Sequence, residues 1–420
     1  MTPHAADVVD TSTASLIAQV ADARAQHTPL RIVGSGTWSD AGRPVAATHM
    51  LSLADHSGVI EYVPSDLVLT VRSGTTLAAV QAITGEHGQW LALDPAGSMH
   101  GTIGATVATA SSGPLSLGSG TVRDLVLGLG VVSGLGTRIR IGGRVVKNVA
   151  GFDLVRLNTG AWGTLGVISD VSLRLHARPA VDASFALVHD DVLQLLNIVA
   201  ALKHDALALH ALELLNPDAA RSVGLSGTAW VLLARATGNG SAVTAQRASL
   251  ASLGQVDDID GNVWTRMRAM DDGMDVLRVS GRISTIADTL AIVHRACAVG
   301  SLLGVRLRIT PHRGSVRVLV PRSDVDVANV AIVRHAAVEL HAEDMTGNTP
   351  DTQLAAHNAR MVALLTQLIQ ETHRTIGERL PHAAWRVLPA PTRDVISTRI
   401  RDAFDPDRIM NHGILGEQDT

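Results

Sequence analysis

The chain has 420 residues, 46% of them hydrophobic, with 35 basic against 39 acidic side chains and a formal charge of −4. That length exceeds what one hydrophobic core usually organises, so two domains are expected, and the apolar share excludes a disordered chain. The near balance of charge argues against nucleic acid or an anionic membrane surface as a partner, and the 2% of aromatics removes the stacking platforms of single-strand binders.

In chain order, residues 13–26 are alanine-rich with Leu16, Ile17, Val20 and Ala23 at helical spacing. Nothing before them has the basic, apolar, small-residue order of a secretory signal, and no run approaches the ~20 apolar residues of a spanning helix. A soluble cytoplasmic chain is therefore the expectation, with any membrane association running through partners. A β-run at 30–33 ends in Gly34-Ser35-Gly36, and 67–71 reads as a further strand. Residues 76–87 form a predicted helix, capped by Thr75 or Thr76 and stopped by Gly88. From 125 onward, short strands at 125–132, 137–141 and 144–147 are divided by glycines, which predicts hairpins, and 165–175 is another strand.

After Pro179 the glycine density falls. Helices are predicted at 190–202, 242–253, 287–298, 324–341 and 354–375. An extended segment at 230–234 and a hairpin of 305–309 with 315–320 complete an α+β second region. A last short element at 392–403 leads into Phe404-Asp405-Pro406 and Asn411-His412-Gly413.

Two glycine clusters carry candidate chemistry. Val33-Gly34-Ser35-Gly36-Thr37-Trp38 is a strand entering a turn whose backbone N–H groups can approach an anion. It lacks the third glycine of a dinucleotide fingerprint, since Ser39 stands there. An ordinary tight turn fits it equally. The segment from Gly101 to Gly113 reads as a short helix of small residues, whose start would present unpaired N–H donors to a diphosphate. A helix packed closely on its neighbours is the competing reading. Cys297 is the only cysteine, which excludes an internal disulfide and a cysteine-ligated iron–sulfur cluster within this chain.

The order of the motifs is more specific than any one of them. Gly34-Ser35-Gly36, Thr102-Ile103-Gly104 and the run from Val122 to Gly128 resemble the flavin domain of the vanillyl-alcohol-oxidase superfamily. Gly143-Arg144-Val145-Val146-Lys147-Asn148, continuing to Gly151-Phe152-Asp153, with Gly163-Thr164-Leu165-Gly166, is similar to the FAD-binding subunit of bacterial glycolate oxidase. The ending with Asp405-Pro406 and Asn411 matches that family too, with His412 where it has proline. The resemblance covers about 25–180 and the last thirty or so residues.

It implies an α+β, PCMH-type FAD domain of two subdomains at 1–180, an α+β cap at 181–384, and a segment at 385–420 returning to the FAD domain. FAD would be held by Gly34, Ser35, Gly36 and Thr37 on one wall and Thr102, Ile103, Gly104 and Ala105 on the other. Ala108, Ser112 and Gly113 would lie near the isoalloxazine or ribityl chain, and Gly166, Val167 and Ile168 at the adenosine end. Asn411 would close over the flavin. Thr37 stands where some members carry a flavin-linked histidine, which implies non-covalent FAD.

The implied reaction takes hydride from a small 2-hydroxy acid to FAD; a non-catalytic flavin-binding accessory subunit and a self-sufficient FAD-linked oxidase of another alcohol are the alternatives. The implied partners are a homologous flavoprotein subunit and an iron–sulfur subunit. Catalytic residues are not legible. Arg308, His312 and Arg313 are the nearest match to a carboxylate clamp and base, with a solvated β-turn as the competing reading, and one histidine without an acidic partner predicts no metal site there. Lys147 and Asn148 stand beside the predicted hairpin and cofactor.

Overall fold

The computed structural model describes residues 11–47, 49–143, 153–202, 208–322, 350–372, 374–390 and 394–416. The chain divides into one unit of residues 1–39, 43–178 and 390–420, and a second of 40–42 and 179–389. The expected strand at 144–147 and helix at 324–341 fall outside the described residues, as do Lys147 and Asn148.

The first unit contains two cores. The smaller joins helix α1 (Thr11–Ala25) to the parallel pair β1 (Leu30–Val33) and β2 (His49–Ser52). Leu16, Val20 and Ala23 recur at helical spacing along α1 and bury against Leu30, Leu51 and Leu53. Ile409 and Met410 enter the same core from the C-terminal segment, and Leu30 bridges Met410. The larger core is built on β3 (Val59–Val63), β4 (Val68–Arg72), β6 (Val126–Val132), β7 (Arg138–Gly142) and β8 (Val167–Arg174). These form an antiparallel sheet in the order β3-β4-β8-β6-β7, while β5 (Gln89–Trp90) pairs with β9 (His176–Ala177). Helices α2 (Leu77–Gly85) and α3 (Ile103–Ala108) bury Leu77, Val80, Ile103 and Val107 against Leu69, Val71, Val171 and Leu173. The side chain of Thr76 caps α2 by accepting from the Ala79 N–H at 3.1 Å.

The second unit is an eight-stranded sheet. Its strands are β10 (Val181–His189), β11 (Leu209–Leu215), β12 (Trp230–Gly238), β13 (Asp257–Ile259), β14 (Met274–Ser280), β15 (Arg306–Thr310), β16 (Ser315–Pro321) and β17 (Thr375–Arg379). They run antiparallel in the order β13-β10-β12-β11-β15-β16-β14-β17.

Strands β10, β11, β13, β14 and β17 are absent from the sequence-based expectation, and two of them show why. Leu-His-Ala-Leu-Glu-Leu-Leu at 209–215 is rich in helix formers and becomes a strand only between β12 and β15, where it is almost wholly buried. Strand β17 contains a glycine and a register shift against β14, as edge strands often do. The predicted helix at 354–375 is observed as Pro350–Glu371, ending before this edge strand begins.

Candidate cofactor-binding site

Strand β1 delivers the first glycine turn. The Val33 carbonyl is tied down by the Leu53 N–H at 2.9 Å, after which the chain leaves the sheet. The N–H groups of Gly34, Ser35 and Gly36 find no acceptor among the described residues. Ser35 spends its hydroxyl on the His100 carbonyl at 2.7 Å, which fixes the turn. Gly36 has φ +78°, and a Cβ built there meets nothing within 4 Å. The turn is thus a short arc of unsatisfied donors facing open space, an arrangement that suits an anion.

The second glycine segment stands directly opposite. A Cβ on Gly34 would lie 2.2 Å from the Thr102 Oγ1, so only glycine lets the two motifs approach. The helix start itself departs from expectation. The Ile103 N–H donates to the Thr75 carbonyl at 2.9 Å and the Gly104 N–H to the Ser73 carbonyl at 2.8 Å. The Ala105 N–H donates to the Thr102 Oγ1 at 3.3 Å. The donors expected to be unpaired are therefore spent on the scaffold, because α3 is docked against the end of β4. Gly104 is required for that docking: its Cβ would sit 2.6 Å from that of Ser73.

A third wall comes from the turn before β8, where Gly166 takes φ +148° against the Val132 carbonyl. Asn411 joins it to β1. Its Oδ1 accepts from the Ile32 N–H at 2.8 Å and its Nδ2 donates to the Trp162 carbonyl at 2.7 Å. Asn411 is 3% exposed and both ends of its amide bond main-chain groups, so it closes the wall as a brace.

These walls enclose a cleft with about 680 Å³ of empty space, open solvent included. Gly34, Ser35, Gly36, Thr37, Gly104, Ala105, Ala108, Gly166, Ile168 and Asn411 all line it. Thr102 lines a smaller recess beside it with Pro95, Ser98 and Ser111, and the two spaces share Thr37, Trp38, Ala105 and Thr109. Four predicted residues line neither space. Ile103 and Val167 turn their side chains into the two cores. The Ser112 hydroxyl accepts from the Val122 N–H at 3.1 Å. Gly113 packs against the Asp94 carbonyl.

Sequence reasoning missed Arg31, Trp38 and Trp162 in the cleft. Arg31 and Trp38 flank the first glycine motif, so adjacency alone was the available signal. Burial pulls the Arg31 guanidinium below its usual pKa. Among the described residues the rest of the cleft lining is neutral, and the Arg31 Nη2 donates to the Ser39 carbonyl at 3.3 Å.

The arginine-rich hairpin lies in the second unit. Arg308 on β15, Arg317 on β16 and Arg278 on β14 stand opposite one another in register, so they share one face of the sheet. Arg317 forms a bidentate pair with Asp271 at 2.9 and 2.7 Å and a further bond to Glu378 at 2.5 Å. Arg308 has Glu213 at 3.4 Å. Desolvation raises the Glu213 carboxyl above its usual range, although Thr310 donates to both its oxygens. Arg313 is exposed and forms no hydrogen bond or ion pair among the described residues. Burial, reinforced by Arg313, lowers His312 to about 4, so its imidazole is neutral near pH 7.

Among the described residues, no group of three or more His, Cys, Asp or Glu could hold a metal ion. No described helix is long and apolar enough to cross a membrane. Burial pushes the Cys297 thiol up to about 12, which makes it a packing residue and not a nucleophile.

Residues 5–142 match the family model of an FAD binding domain. The chain is 40% identical to the glycolate oxidase subunit GlcE of Escherichia coli (strain K12) over 171 residues, which is 40% of this chain and 49% of that protein. It is 32% identical to the glycolate oxidase subunit GlcD of Bacillus subtilis (strain 168) over 161 residues, 38% of this chain and 34% of that one. The matches thus span half or less of these relatives. Among solved structures, p-cresol methylhydroxylase with substrate bound superposes with a TM-score of 0.72 at 15% identity, covering 98% of this chain and 89% of that one. The expected PCMH-type fold is borne out, and the cofactor is FAD.

Proposed function

We propose that this chain, an FAD-binding protein of the PCMH-type fold similar to bacterial glycolate oxidase subunits, is the flavoprotein subunit of a 2-hydroxy-acid dehydrogenase. It works in the cytoplasm beside a homologous flavoprotein subunit and an iron–sulfur subunit. The observation that carries the reading is the convergence of the Gly34–Gly36 turn, Gly104 and the Gly166 turn on one cleft, with Thr102 in the recess beside it. The free N–H groups of the first turn supply donors for a diphosphate, and Thr102 and Gly104 form the facing wall. Gly166 and Ile168 bound the far end, where Asn411 holds β1 and the Trp162 turn together. With Thr37 where a linking histidine would stand, the flavin is held without a covalent bond.

Bound FAD supplies a two-electron acceptor for the hydride of an alcohol. The chain's own part would then be to hold the acid and receive the hydroxyl proton. Arg313 is the cation left uncommitted by the arginine row, and His312 is the adjacent imidazole, neutral near pH 7 but a weak base there because burial lowers it to about 4. On this reading electrons pass to the iron–sulfur subunit, since one cysteine in this chain cannot ligate a cluster.

One observation favours a second reading. Arg308 and Arg317 already face Glu213, Asp271 and Glu378, which leaves a single exposed arginine for substrate. An accessory flavoprotein, supporting a homologous catalytic subunit, fits that economy. Anaerobic addition of glycolate or D-lactate to the FAD-loaded chain separates the two. Bleaching of the flavin absorbance by the isolated chain supports catalysis here, and bleaching only with the homologous subunit present supports the accessory role.

A further inference from the structure

One wall of the cleft is held in a conformation that its side chain disfavours. Trp162 takes φ +54°, in the left-handed region where a bulky residue is a steric outlier. Such strain persists only where the surrounding structure over-determines the backbone, and here it does. The Trp162 N–H donates to the Ala108 carbonyl at 2.8 Å, and the Trp162 carbonyl accepts from the Asn411 Nδ2 at 2.7 Å. Gly160 and Gly163 take φ +89° and +72° on either side, and a Cβ on Gly163 would lie 2.9 Å from that same Asn411 nitrogen. Glycine or asparagine at 162 would satisfy the same main-chain bonds with less strain. The backbone therefore gives no reason for a tryptophan.

The side chain gives one. The indole is partly exposed, stands in neither core of the FAD unit, and lines the cleft together with Gly163, Gly166 and Ile168. A flat bicyclic ring bordering open space has apolar area to bury and a π-face to offer. Asn411 ties its turn to Ile32, two residues before Gly34, so the ring is fixed relative to the strand that delivers the diphosphate donors. Its neighbours Gly166 and Ile168 bound the end of the cleft assigned above to adenosine.

Resting on that placement of FAD, we infer that Trp162 is a cofactor-binding residue whose indole packs on the adenine and makes the site select FAD over a flavin that lacks it. Stacking on a nucleobase needs a flat face and no hydrogen-bond match. The strained backbone aims the ring into the cleft.

The test is titration of the full-length apoprotein with FAD and with FMN, followed by flavin fluorescence, for the wild type, Trp162→Asn and Trp162→Phe. FMN keeps the isoalloxazine, the ribityl chain and one phosphate, and lacks the adenylate half. Trp162→Asn loses roughly ten- to a hundredfold in FAD affinity, while FMN affinity changes little, so the preference for FAD collapses. Trp162→Phe keeps a flat ring and most of the preference. An unchanged preference in Trp162→Asn overturns the inference, and a lowered urea midpoint beside it marks the ring as packing for its turn. Equal losses for FAD and FMN overturn it too, because they place the ring away from the adenine. So does a wild type that binds both flavins equally. If Trp162→Asn fails to fold by circular dichroism, Trp162→Leu, apolar but without a flat ring, decides by the same comparison. Failure of the parent placement shows separately, as FAD affinity in Gly36→Ala equal to that of the wild type.

Discussion

The two units place polar groups in their interiors in opposite ways. In the FAD unit the cleft is built almost entirely from main chain: a glycine turn with free N–H groups, a helix start spent on neighbouring carbonyls, and one asparagine bridging two backbone segments. In the second unit the polar interior is side chain against side chain. Arg317, Asp271, Glu378, Arg308 and Glu213 are interlocked on the sheet, with Arg322, Asp275, Asp40 and His357 forming a further group. A main-chain site leaves its donors unpaired at small cost because they border solvent-filled space. A buried charge network must be complete, since each unpartnered ion carries its full desolvation penalty.

That contrast predicts where single substitutions hurt most. Arg317→Met removes the cation shared by Asp271 and Glu378, both held below the usual carboxylate range mainly against desolvation by their arginine neighbours. Asp271 loses its bidentate partner and Glu378 keeps only Arg278, at 3.6 Å, and the expected loss is about 3–5 kcal/mol. Urea denaturation measures it. Arg317→Lys retains charge without the bidentate geometry and falls between. A loss below 1 kcal/mol for Arg317→Met would erase the distinction between the units.

In the FAD unit the nearest equivalent is Asn411, one residue doing the work of a pair. Asn411→Leu strands the Ile32 N–H and the Trp162 carbonyl, each a buried or half-buried group. The expected cost is roughly 2–4 kcal/mol. FAD affinity should fall as well, because β1 and the Trp162 turn lose their tie. Stability lost with unchanged FAD affinity would show that the wall does not need this brace.

The same contrast explains what could be read from the sequence. Main-chain sites are written as glycines at fixed offsets, so Gly34, Gly36, Thr102 and Gly166 were visible as strings. Which donors were free was not, because the partners of Ile103 and Gly104 lie some thirty residues away at Thr75 and Ser73. The charge network was illegible for a related reason. Glu213, Asp271, Arg308, Arg317 and Glu378 come from separate strands and turns, and only the sheet order β11-β15-β16-β14-β17 brings them together. Strand β11 illustrates the limit, since its leucine-rich stretch has no alternation and its environment alone makes it a strand.

Gly36→Ala sharpens the comparison from the ligand side. The φ of +78° makes alanine strained by about 1–2 kcal/mol, while its added methyl meets no protein atom within 4 Å. The methyl instead enters the space the cofactor would use. FAD affinity should therefore fall about tenfold or more while the urea midpoint falls only by the amount that strain accounts for. Equal FAD affinity in the two proteins would place the diphosphate elsewhere.

The smallest effect is a pH dependence confined to the second unit. Burial lowers His312 to about 4, against about 6.5 for an unfolded histidine. Above pH 6.5 the ring is neutral in both states and contributes no slope. Between about 6.5 and 4 the unfolded chain binds a proton that the folded chain refuses, so stability falls as pH falls. Below about 4 both states are protonated and the loss stops growing. Discounted for the solvent around a partly exposed ring, the total is roughly 1 kcal/mol. His312→Gln removes this loss, and the carboxylates of the network titrate in both proteins and cancel in the difference. The stability difference between the variant and the wild type, from urea melts at pH 7.5, 6 and 5, should be constant above 6.5 and move in the variant's favour below it. A difference that stays flat down to pH 5 would mean that His312 takes up its proton when folded as readily as when unfolded, and that the hairpin it occupies is wetter than its burial indicates.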